Sequence, residues 1–117
     1  MTSERLRNSV GRAFALECSL RELWGLEGPT SVLRARVAQR SLAPHQLVLM
    51  RVALDFYDGS GGSIGFAEAA RSLEGPAGMN ALYFLGEFLG SALTDMPDSL
   101  ESWASQYAGE IADAGTH

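Results

Sequence analysis

Apolar residues recur along this chain at intervals of three and four, and almost nowhere at intervals of two. That period belongs to helices that bury one face, and the β-branched residues that favour strands are few. The expectation is an all-α fold. Six helical segments account for nearly the whole length, arranged as a compact bundle of five to six helices in a single domain over residues 1–117, with the last few, about 114–117, disordered. At 117 residues and 46% apolar, the chain can bury a core without help from disulfides or a structural metal.

The first helix is expected from about Ser3 to Trp24, stopped by Gly25 in the left-handed conformation that ends many helices. Its apolar arc holds Leu6, Val10, Ala13, Leu16, Leu20, Leu23 and Trp24. The second spans about Ser31 to Gln39, after Gly28-Pro29-Thr30. The third, from Pro44 to Tyr57, has a polar stripe of only Pro44, Arg51, Asp55 and Asp58. A helix apolar around most of its circumference is surrounded by others, so it is read as the central element. The glycine-rich hinge Asp58-Gly59-Ser60-Gly61-Gly62-Ser63 follows. A short fourth helix runs from about Gly65 to Leu73, with Glu68 placed to reach back to its start and Ile64 and Ala69 in accompanying contact. The fifth covers about Met79 to Leu93 and is expected to bury Leu82, Leu85, Phe88, Leu89 and Leu93. The sixth opens with a capping pair, Asp98 and Glu101, and carries the stripe Leu100, Trp103, Ala104, Tyr107, Ala108 and Ile111.

Charge is distributed unevenly. All nine basic residues are arginine and none lies beyond Arg71; residues 1–71 hold nine arginines against seven acids, a net of +2, whereas residues 72–117 hold seven acids and no base, a net of −7. The absence of lysine fits a GC-rich codon bias. Such asymmetry can steer a partner or a second copy of the chain. Cys18 has no partner for a disulfide and no Cys/His cluster for zinc. The start of the chain carries no apolar signal segment, and the run from Leu47 is broken by Arg51 and Asp55, far short of a membrane span. A cytoplasmic protein is expected.

Candidate sites are few. Setting Gly62, Ile64 and Glu68 at positions 6, 8 and 12 of a calcium loop puts Tyr57, Gly59 and Gly61 where ligand oxygens belong, so no metal is expected at the hinge. A phosphate-cradling nest is weakened by the lack of a following Lys or Arg. Glu17 and Asp55 are the best carboxylates for acid–base work, yet each has an arginine four residues on or back, Arg21 and Arg51, and ion pairs that fix helix packing are the simpler reading. His45 lies in the first turn of the third helix, where positive charge is disfavoured, and His117 is terminal. Cys18 is placed off the apolar arc. Arg34, Arg36, Arg40 and Arg51 surround a short helix–helix turn that could serve a helix-turn-helix, but the second of those helices is too apolar to read a groove, so nucleic acid is an unlikely partner.

Gly86 and Gly90 stand four apart on the fifth helix, beside Met79 and Tyr83. Each glycine costs a helix interior about 1 kcal/mol, so the pair implies close approach of another helix, within the subunit or from a second copy. Trp103 and Tyr107 join this interaction surface if the sixth helix is not fully covered. The function expected is that of a small non-enzymatic interaction protein, an adaptor or accessory subunit that binds a protein partner or forms a homodimer, with no cofactor and no membrane contact. A nucleic-acid-binding regulator using the arginine cluster and an enzyme with a Glu17/Asp55 site are the alternatives.

Overall fold

Helix α1 (Glu4–Glu17) ends seven residues before Trp24. Ser19 takes a left-handed conformation, φ 60°. Around it the Leu20 N–H donates to the Ala15 carbonyl at 2.8 Å and the Ser19 N–H to Leu16 at 3.1 Å. This paired closure usually takes glycine at its left-handed residue. The expected stop at Gly25 is therefore corrected to Ser19, a residue that gives no such signal in the sequence. Beyond it come a 3₁₀ turn, Arg21–Leu23, and a small antiparallel hairpin of β1 (Trp24–Gly25) and β2 (Gly28–Pro29), with Trp24 opposite Pro29 and Gly25 opposite Gly28. Strands of two residues are too short to show a period.

Helix α2 (Ser31–Ala38) is capped by Thr30, whose hydroxyl accepts from the Leu33 N–H at 3.2 Å and donates to the Leu23 carbonyl at 2.8 Å. It closes as α1 does, on Arg40 at φ 54°, with the Ser41 N–H reaching the Arg36 carbonyl at 2.9 Å. Helix α3 (Pro44–Asp58) starts on proline, which is preorganised for a first helical position, and ends on Gly59 at φ 74°. After α4 (Phe66–Ser72), helix α5 runs from Gly75 to Asp95 and so begins four residues earlier than expected; Gly75-Pro76 opens it instead of preceding it. Helix α6 (Asp98–Gly115) completes the chain. The structure, a computed structural model, describes residues 4–59, 66–95 and 98–115. The rest of the hinge past Gly59, the contacts foreseen for Ile64, Gly65 and Glu68, the packing of Leu93, Ala108 and Ile111, and part of the expected disordered end lie outside the described residues.

These helices form one all-α globule with a radius of gyration of 13.4 Å, near the ~13 Å of a compact 100-residue domain. As expected, α3 is heavily buried, through Leu47, Val48, Leu49, Met50, Ala53 and Leu54. Helix α1 shares the interior with it, packed against both α3 and α6. Phe14 is the hub: its ring meets Phe84 edge-on at 4.7 Å, Phe88 at 5.0 Å and Trp103 at 6.3 Å. Edge-to-face pairs of this kind add about 0.5–1.5 kcal/mol beyond their burial. Phe14 and Phe84 are absent from the arcs read on the sequence, and the faces of α1 and α5 are corrected accordingly. Among the described residues of α5 the buried apolar side chains are Ala81, Phe84 and Phe88, whereas Leu82 and Leu89, expected inside, stand outside.

Candidate functional site

The outward face of α5 exposes Met79 (46%), Leu82 (49%), Tyr83 (71%) and Leu89 (54%). These are four of the six exposed large apolar side chains among the described residues; Leu26 and Val32 lie elsewhere. At a helical advance of about 100° per residue they fall on one arc, with Gly86 and Gly90 between them. A Cβ built at either glycine would meet nothing within 4 Å. The internal close approach considered for this pair is therefore corrected: among the described residues, no helix of the same chain fills the space a Cβ would take at either glycine. Elsewhere glycine does answer to packing. A Cβ on Gly11 would collide with the Trp24 indole, and one on Gly78 with the Leu73 backbone.

Trp103 and Tyr107 are half-buried, not free for an interface. Their rings stack 5.9 Å apart at 23°, and Phe84 packs on both, at 5.2 Å and 4.8 Å. Their remaining surface lines a cleft of about 520 Å³ between α5 and α6, with Glu87, Gly90, Ser91, Ser99 and Gln106.

The polar candidates separate into two places. Glu17 sits at the end of α1, where burial and then the Glu87 carboxylate raise its pKa. Arg21 begins the 3₁₀ turn and is exposed, so it does not stand one helical turn from Glu17 as expected on a continuous helix. Asp55 and Arg51 instead line a hollow of about 250 Å³ with Arg34, Val37, Ala38, Leu54 and Asp58. None of the described clefts holds both Glu17 and Asp55. Within the arginine cluster, Arg34 makes a two-pronged pair with Asp58, Nη1 to Oδ2 at 3.0 Å and Nη2 to Oδ1 at 2.9 Å. That hydrogen-bonded pair lowers the Asp58 pKa and raises that of Arg34. Arg36 and Arg40 are exposed, and Arg40 is the left-handed closing residue of α2. His45 is half-buried in the first turn of α3.

No protein-family model, curated protein or solved structure matches this chain.

Three other residues do structural work that the sequence did not signal. Arg7 donates to the Tyr57 carbonyl at 2.7 Å and lies over the Tyr57 ring, so a cation meets the negative end of α3. Asn8 accepts from the Trp24 indole at 2.6 Å and donates to the Leu26 carbonyl at 2.8 Å, which ties the hairpin to α1. Cys18, placed off the apolar arc by the sequence, is in the core at 2% exposure, and burial followed by the neighbouring Glu17 pushes its pKa up to about 12. Its carbonyl accepts from the Gln46 amide at 2.8 Å. Among the described residues no group of three His, Cys, Asp or Glu could hold a metal, and no helix is long and apolar enough to cross a membrane.

Proposed function

We propose that this protein is a non-enzymatic interaction module whose binding surface is the outer face of α5, and that its occupant is the same face of a second copy. The observation that carries this reading is the open glycine stripe flanked by exposed Met79, Leu82, Tyr83 and Leu89. A scattered exposed apolar residue needs no explanation, but a contiguous face of them does. Two features favour a second copy over a foreign partner. The face is self-complementary: an antiparallel crossing at Gly86 sets Tyr83 against Leu89 and the bulk of Leu82 against the gap at Gly90, as a two-fold pairing requires. It is also nearly neutral, since α5 carries only Glu87 and Asp95 along its length, so little charge would be desolvated.

Light scattering at micromolar concentration tests this, with Gly86→Leu as the variant. Open space at Gly86 means that a leucine fits the folded monomer, and it also removes a glycine penalty of about 1 kcal/mol. The expected outcome is a dimeric wild type and a variant that is monomeric yet no less stable. A strictly monomeric wild type ends the proposal. A variant that stays dimeric moves the interface off the glycine stripe.

A further inference from the structure

The cleft between α5 and α6 has a chemistry distinct from the apolar face beside it. One wall is aromatic, the Trp103–Tyr107 stack, with Phe84 packed against both rings. The facing wall carries Glu87 with Gly90 and Ser91, and Ser99 and Gln106 complete the lining. Its volume, about 520 Å³, falls within the ~300–1,000 Å³ typical of small-molecule sites.

We propose that this cleft binds an organic cation, an alkylammonium group whose charge faces Glu87 and whose carbon substituents lie against Trp103 and Tyr107. The electron-rich faces of indole and phenol attract ammonium groups, and a carboxylate opposite them supplies the counter-charge. An anion is disfavoured on both walls, and a purely apolar ligand would bury Glu87 unpaired. The surroundings act in the same direction. The lining belongs wholly to the half of the chain that has seven acids and no base. A second carboxylate, Glu17, feels the Glu87 charge, after its own burial, as a rise in pKa. The inference does not rest on self-association: the cleft shares Gly90 with the glycine stripe, but Glu87, Trp103 and Tyr107, which supply its chemistry, lie off the exposed apolar arc.

Choline and its uncharged isostere 3,3-dimethylbutan-1-ol are the probes. The two indole N–H resonances in a ¹H–¹⁵N spectrum report separately: Trp103 lines the cleft, while Trp24 is 1% exposed elsewhere. Choline should shift the Trp103 resonance saturably and leave Trp24 in place; the isostere should not. Glu87→Gln, at an exposed position, should weaken choline binding by about fivefold, equivalent to roughly 1 kcal/mol of screened charge attraction. Glu101→Gln, on α6 but outside the cleft, should leave it unchanged. The proposal is overturned by the absence of saturation up to about 20 mM choline, by equal binding of the isostere, by unchanged affinity in Glu87→Gln, or by an equal loss in Glu101→Gln.

Discussion

Two helices in this protein end on left-handed residues that carry a Cβ, Ser19 and Arg40. That conformation costs an L-residue about 1–2 kcal/mol, partly offset because glycine loses more freedom on folding. Ser19→Gly and Arg40→Gly should each stabilise the fold by up to about 1 kcal/mol, read as a higher urea midpoint at constant slope. Native glycines give the converse contrast. Gly11→Ala drives a methyl into the Trp24 ring and should cost about 1–3 kcal/mol, the usual range for overpacking. Glu17 contributes a pH dependence of known sign. Its pKa is raised in the folded state by burial and by Glu87, so the native state holds this proton more tightly than the unfolded one. The associated stability is present at low pH and is lost as pH rises through the folded pKa. Glu17→Gln should therefore raise stability at pH 7, with the gain vanishing below the ordinary carboxylate range; a gain that is constant with pH would assign it to packing instead.

At the scale of elements, the number, type and rough limits of the helices were legible because a three-to-four period is a strong signal. The faces of α1 and α5 were less so. On α1, extending the helix through Leu20, Leu23 and Trp24 added apolar residues to the side of Leu6, Ala13 and Leu16, which drew the apparent face away from Phe14 and Cys18. What stops the helix is Ser19, and nothing about a serine announces a left-handed turn. On α5, apolar residues occur all round, so periodicity cannot say which side meets the core; the choice is made by aromatic rings on α1 and α6, distant in sequence. The glycine pair was legible as a feature in need of a reason, though the chain could not say that the space around it is open. The cleft was not legible at all, because α5 and α6 contribute its two walls jointly. Phe14→Ala should cost about 3–5 kcal/mol by emptying the hub. On α3, Leu54→Ala, at 8% exposure, should cost about 2–5 kcal/mol and half-buried Asp55→Ala less; equal, small losses in denaturant would show that this helix contributes little to the core.

For the molecule as a whole, the uneven charge makes the proposed dimer testable by salt alone. Pairing through α5 brings two halves of net charge −7 toward each other. Added salt, which shortens the Debye length from about 10 Å at 0.1 M to 3 Å at 1 M, should then tighten association. A dimer that joins the arginine-bearing half to the acidic half would weaken instead, so the sign of the salt response in sedimentation distinguishes the two arrangements. The sealed thiol of Cys18 offers a different kind of readout. A thiol that is buried and held protonated in the native state reacts with a disulfide reagent only when the chain around it opens, so its labelling rate counts openings. It lies immediately after α1, just before the left-handed serine. If labelling in the absence of denaturant gives the same free energy as global unfolding, that turn never frays alone, and the protein comes apart as one cooperative unit. A smaller value would mean that the seam between α1 and the hairpin breathes while the aromatic hub stays shut.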